Sequence, residues 1–284
     1  MQNILTTPAG SVPLAVSTGS FWPRTTGESL EWLAELSLCD VELTLGPSEF
    51  YMSFDSDFHI PLFQQLMSST RDGKLTVWSV HAPRMSAEHG HSTKVRTAYL
   101  ARSLELCAEL GGQILVTHPF HLFISYEHTL DYLSGDIPDV WQALLPGMCT
   151  ILREAEAMGI SITVEIVKIW ADDTSGFFNL PVNVAKFLDD VSSPALGLTL
   201  DLIHARLMGS LQSFLDLLAP AIVNLHIADL VAPAQRVPPG EGELPWNNLL
   251  PTLCALPALQ LVTLELTHAE PVEIARSIAF LQSS

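Results

Sequence analysis

Basic residues are scarce in this chain. Lysine and arginine together number 13 against 31 aspartates and glutamates, leaving a net charge of −18 over 284 residues. Binding to a phosphate backbone or an anionic bilayer depends on Lys and Arg, so neither nucleic acid nor a membrane surface is an expected partner. Cysteines are equally sparse: Cys39, Cys107, Cys149 and Cys254 form no close pair. That excludes a zinc ribbon and a CxxC redox motif, and it predicts reduced interior thiols in a cytoplasmic protein. No GxGxxG follows the first strand-like run, which removes the dinucleotide fingerprint. Residues 1–10 have no basic patch ahead of an apolar core, so no secretory leader is expected. The uncharged stretch 244–264 is long enough to span a bilayer. Pro245, Pro251 and Pro257, with Asn247 and Asn248, interrupt it, so no membrane segment is expected.

What is present is apolar material in a regular rhythm. Hydrophobic residues make up 48% and charged ones 15%, a balance that calls for a large core. Short β-branched runs occur at 14–17, 40–45, 75–81, 114–118, 161–167, 197–202, 222–227 and 261–266. Each is nearly continuous in hydrophobicity, as expected of parallel strands covered on both faces. Helical periodicity fills intervening stretches. Residues 93–110 stop at Gly111-Gly112, and 141–158 stop at Gly159, with Pro146 expected to kink or delay the start. Residues 179–191 and 272–281 complete the pattern. Strand starts 26, 35, 39, 47, 36, 25 and 39 residues apart fit the roughly 31 residues per unit of a typical barrel. Eight such units predict an α/β fold, a parallel (β/α)8 TIM barrel occupying 1–284 as a single domain. The longest loop, 120–138, is placed where such a barrel carries a lid over its active face.

Ionisable groups interrupt the apolar strands at their C-terminal ends. The fifth run contains Val164-Glu165-Ile166 and the sixth Leu200-Asp201-Leu202. The seventh contains Leu225-His226-Ile227 and the eighth Leu264-Glu265-Leu266. A single carboxylate at a strand end more often caps a helix or pairs with an arginine. Four such groups on consecutive strands meet at one barrel mouth, where three like charges without a cation are costly. Two Glu, one Asp and one His make a mostly oxygen site. It suits one divalent metal ion, with Mn²⁺ leading and Mg²⁺, Co²⁺, Fe²⁺ and Zn²⁺ as alternatives. His81 and His118 end the third and fourth strands on the same face, and they are read as contacts to substrate or to a further metal. Glu42, in the second strand, either reaches the mouth or pairs locally. His89 and His91 are read as solvated.

An ordered set of short pieces then carries a resemblance. Val41-Glu42-Leu43, His81-Ala82-Pro83, His118-Pro119, Val164-Glu165, Asp201-x-x-His204, His226-Ile227-Ala228-Asp229, Gly240-Glu241-Gly242-Glu243-Leu244-Pro245-Trp246 and Leu264-Glu265 run from the second strand to the eighth. Together they resemble the xylose isomerase-like TIM barrel superfamily, in its sugar phosphate isomerase/epimerase and AP endonuclease family 2 branch. The resemblance implies that Glu165, Asp201, His226 and Glu265 are metal ligands. It also implies that Glu165 and Glu265 act as acid and base on a small sugar or related polyhydroxy carbonyl compound. His204 and Arg236 correspond to residues that contact substrate oxygens, and Trp246 to a residue that lines the pocket or packs its loop. The implied activity is that of a metal-dependent isomerase or epimerase working through an enediolate. The alternatives are a dehydratase of a keto-inositol or dehydroshikimate-type substrate and a non-catalytic metal-binding barrel. The nuclease branch needs an additional Asp-x-His before the Gly-Glu-Gly loop. Ala234-Gln235-Arg236 stands there instead, which together with the charge argues against an abasic-site nuclease. Few basic residues also favour an unphosphorylated sugar or cyclitol, and the apolar composition is compatible with a homo-oligomer.

Overall fold

The structure is a computed structural model that describes residues 4–7, 10–44, 61–83, 93–118, 137–168 and 177–283. Eight parallel strands follow one another in sequence: β1 (Gly10–Ser17), β2 (Asp40–Thr44), β3 (Thr76–His81), β4 (Ile114–Thr117), β5 (Ser161–Ile166), β6 (Leu196–Asp201), β7 (Ile222–Ile227) and β8 (Leu261–Leu264). Each pairs with the next, and β1 closes the ring. It sets Ser17 opposite Glu42 of β2 and Leu264 opposite Val16 from β8. Helices between the strands include Thr26–Glu35, Pro61–Arg71, Thr93–Glu109, Ile137–Met158, Pro181–Val191, Trp246–Cys254 and the closing Pro271–Ser283. The chain is a single-domain (β/α)8 TIM barrel, as the run of alternating units predicts.

The main apolar core lies between sheet and helices, with Leu14, Val41, Leu200 and Leu264 from strands against Leu33, Leu104, Phe187 and Ile274 from helices. A smaller cluster of Ala15, Ile114, Val116, Val223 and Leu261, with Trp78 against it, is separate from that core. Leu261 shares a strand face with Thr263, and Val116 with His118, because side chains repeat every second residue.

Several local expectations are corrected. β1 begins at Gly10 rather than at residue 14, because an antiparallel strand Ile4–Thr7 pairs with its first half. Pro146 does not delay its helix, which already runs from Ile137. Before Pro181–Val191 the chain makes a separate short turn, Phe177–Asn179, since Pro at the first helical position favours a fresh start. The 244–264 stretch is a short helix holding Pro251, then strand β8, and no described helix is long and apolar enough to cross a membrane. His89 and His91 lie outside the described residues, as does the expected lid at 120–138 apart from its last two residues, which belong to the helix Ile137–Met158.

Candidate metal centre

The C-terminal ends of β5 to β8 bring Glu165, Asp201, His226 and Glu265 together. One possible ligand atom from each lies within 4.8 Å of the others. His226 and Asp201 are fully buried and Glu165 nearly so, whereas the Glu265 side chain keeps 18% of its exposure. His226 Nδ1 faces two of the carboxylates, at 3.3 Å from Glu165 Oε1 and 3.4 Å from Glu265 Oε2. Glu165 also serves a second group with His81 and His118, whose Nε2 atoms lie 3.0 and 2.6 Å from its Oε2. The two imidazoles meet edge to face, with centroids 4.9 Å apart.

Charge here is concentrated and dry. Burial pushes the Glu165 carboxyl up, but His118 and His226 outweigh it and hold the group well below the usual carboxylate range. Burial acts on Glu265 in the same way, and His226 and Arg236 likewise bring it down. For His226 the burial penalty is overcome by Glu42, Glu265 and Glu165, so its pKa is well above that of a free imidazole. The His81 pKa is raised as well. Burial opposes its charge, but Glu165, hydrogen-bonded to Nε2, prevails. Its Nδ1 meets the Ala82 carbonyl at 2.8 Å, so both ring nitrogens face acceptors. An imidazole nitrogen aimed at two carboxylates carries either a proton or a metal.

The commoner roles of a strand-end carboxylate are partly present too. Asp201 Oδ1 caps the helix Leu202–Leu207 by accepting the His204 N–H at 2.8 Å. Its Oδ2 accepts from Arg236 Nη2 at 2.6 Å, and Arg236 Nη1 donates to Glu265 Oε2 at 2.9 Å and to the Glu265 carbonyl at 3.0 Å. Arg236 therefore does reach the mouth. It is carried there by a small hairpin, Asp229–Val231 with Gln235–Val237, that sequence periodicity did not reveal. His204 sits beside the site with Nδ1 accepting the Lys168 N–H, outside both possible metal groups among the described residues.

Trp246 and Asp229 have a different task. The Trp246 ring lies against Phe280, and its indole N–H donates to Asp229 Oδ2 at 2.6 Å. Both contacts are those of a residue that packs the loop. Asp229 also accepts the backbone N–H groups of Leu230, Gly240, Gly242 and Leu244. A Cβ at Gly242 would collide with that carboxylate, so the loop needs glycine there.

One polar layer beneath the foursome has no counterpart among the residues singled out from the sequence. Thr163, Thr199, Asn224 and Thr263 each stand two residues before a member of the foursome, hence on the same strand face. All are fully buried and joined in a chain. Thr163 and Thr199 share a 2.7 Å hydroxyl contact, Asn224 Nδ2 donates to Thr199, and Thr263 donates to Asn224 Oδ1. Barrel layers are usually branched aliphatics, so four polar residues at this spacing are a signal that could have been read.

Residues 30–284 match the family described as Xylose isomerase-like TIM barrel, and the chain belongs to that family. Among solved structures, it is similar to an L-ribulose 3-epimerase at 15% identity, covering 94% of this chain and 86% of that one, with a TM-score of 0.68. The probable 3-DHS dehydratase AsbF from Bacillus anthracis matches at 12% identity over 94% and 98% of the two chains, with a TM-score of 0.68. The IOLI protein, solved with a bound zinc atom, matches at 17% identity over 95% and 98%, with a TM-score of 0.62. At these identities the likeness is one of fold.

Proposed function

We propose that this barrel is a divalent-metal-dependent isomerase or epimerase of a small, unphosphorylated polyhydroxy carbonyl compound. The observation that carries the reading is the meeting of three carboxylates and one imidazole within 4.8 Å at the mouth of the barrel. The donor set fits a hard or borderline cation, because the carboxylates outnumber the fixed positive charge that Arg236 offers them. Glu165, Asp201, Glu265 and His226, the last through Nδ1, would hold it. Once bound, the ion supplies a Lewis acid for the substrate carbonyl and charge to stabilise a developing enediolate.

The residues supply the rest. Glu165 and Glu265 stand on β5 and just beyond β8, so they approach the mouth from different strands. One carboxylate takes the proton from the carbon beside the carbonyl. The other, in its acid form, delivers one to the adjacent position or to the opposite face. Arg236 keeps the Glu265 and Asp201 oxygens in place. His81 and His118, bonded to Glu165, would orient that carboxylate and meet substrate hydroxyls, and His204, whose backbone N–H is bonded to Asp201, would be a further contact.

The same groups would serve loss of a neighbouring hydroxyl, so the test must separate the two outcomes. Ketoses and keto-inositols are incubated in D₂O with protein loaded with Mn²⁺, Co²⁺, Mg²⁺ or Zn²⁺, followed by NMR and mass spectrometry. The account expects deuterium at the carbon next to the carbonyl with the carbon and oxygen skeleton conserved. Loss of water would make it a dehydratase. No exchange with any metal and substrate would leave a non-catalytic barrel.

A further inference from the structure

Glu42 is the buried carboxylate the mechanism has not used. It lies in β2, across the barrel from the metal foursome in sequence order, and is fully buried. Its Oε2 accepts the Ser79 hydroxyl at 2.8 Å and meets His226 Nε2 at 3.1 Å. Its Oε1 has no hydrogen-bond partner. A buried carboxylate with a bare oxygen is costly to keep, and leucine-like packing would serve the barrel interior better unless the charge has a use.

The two nitrogens of His226 point to different neighbours. Nδ1 faces Glu165 and Glu265, while Nε2 faces Glu42, on the far side of the ring from the foursome. We infer that Glu42 is the positioning residue of the centre: it takes the Nε2–H of His226, fixes the ring and its tautomer, and thereby presents the Nδ1 lone pair to the ion. Ser79 holds Glu42 in turn, so the relay runs from β3 through β2 to the ligand on β7. Partners of this kind raise the basicity of a ligating imidazole and restrict its rotation. This rests on the metal reading above, and adds to it a residue outside the four ligands.

The test compares wild type with Glu42→Gln and Ser79→Ala. Co²⁺ affinity is measured by calorimetry, melting temperature is measured without metal, and ¹⁵N shifts are recorded on histidine-labelled protein. The His226 signals are assigned by their absence in His226→Gln. Glu42→Gln keeps the shape and removes the charge, and it should weaken Co²⁺ binding by about 10–100-fold, the usual cost of losing such a partner. Read in metal-free protein at alkaline pH, where the His226 ring is neutral, the melting temperature should hold and the Nε2–H pattern of His226 should give way to mixed tautomers. Ser79→Ala leaves the carboxylate and loosens it, and should weaken the same affinity by a smaller factor. Unchanged affinity in both variants, with or without a fall in melting temperature, would make Glu42 a packing residue and overturn the inference alone. Wild type that takes up no Co²⁺, Mn²⁺ or Zn²⁺ would overturn the metal reading and this inference together.

Discussion

Two neighbouring regions of this barrel bury carboxylates in opposite ways. Under the Gly-Glu-Gly loop, the two oxygens of Asp229 receive four backbone N–H groups and the Trp246 indole, so its charge is met by neutral donors. At the mouth, Glu165, Asp201 and Glu265 face one another around His226, with one guanidinium between two of them. Nearby, Glu42 leaves an oxygen bare. A carboxylate saturated by N–H donors organises a loop. Carboxylates turned toward each other with too few donors form a place for a cation.

The comparison can be broken most sharply at the clamp. Asp229→Ala leaves five donors without an acceptor and should destabilise the fold by about 3–5 kcal/mol, the range for breaking a buried charged network. Denaturant melts measure this, and the loss should persist when metal is added. Arg236→Met strips the guanidinium from Asp201 and Glu265. It should cost the metal-free protein about 2 kcal/mol, as for hydrogen bonds to charged groups. Here metal loading should restore the stability, because a cation replaces the lost charge. Failure to restore it would place the mouth in the same class as the clamp.

The smallest effect is on pH. His226 has a raised pKa, so in the metal-free protein its charge adds stability that is full below the pKa of a free imidazole and lost as pH climbs through the raised value. Glu165 and Glu265 are lowered, so their contribution is present above the ordinary carboxylate range and lost as pH falls. A metal at Nδ1 must displace the His226 proton. Affinity should therefore rise with pH by up to about tenfold per unit for one proton, levelling off above the raised pKa. Calorimetric titrations across pH in two buffers read both the slope and the released proton. A flat profile would remove His226 from the ligand set.

Much of the barrel and its mouth is legible in the amino-acid sequence. The eight apolar runs fall on the eight strands, with ends displaced by only a few residues in most cases. The four ionisable groups converge because strand order and barrel closure leave them nowhere else to go. What stays hidden depends on contacts between distant segments. The bond between Glu42 and His226 joins residues 184 apart and exists only once the barrel has closed. The strand Ile4–Thr7 is short and gains its identity from pairing with β1. The hairpin that delivers Arg236 has three-residue strands, too short for any periodic signal. Asp229 reads as one more strand-end acid, because its donors lie on a loop whose path composition alone does not define.

The central claim is that the mouth holds a cation. Elemental analysis of purified, metal-loaded protein, wild type beside Glu165→Gln/Glu265→Gln, tests it directly. The account predicts about one divalent ion per chain in the wild type, by the one-site arrangement of the foursome, and loss of that ion in a double variant that remains folded. Wild type that stays empty after loading with Mn²⁺, Co²⁺ and Zn²⁺, or a double variant that retains the ion, would contradict it.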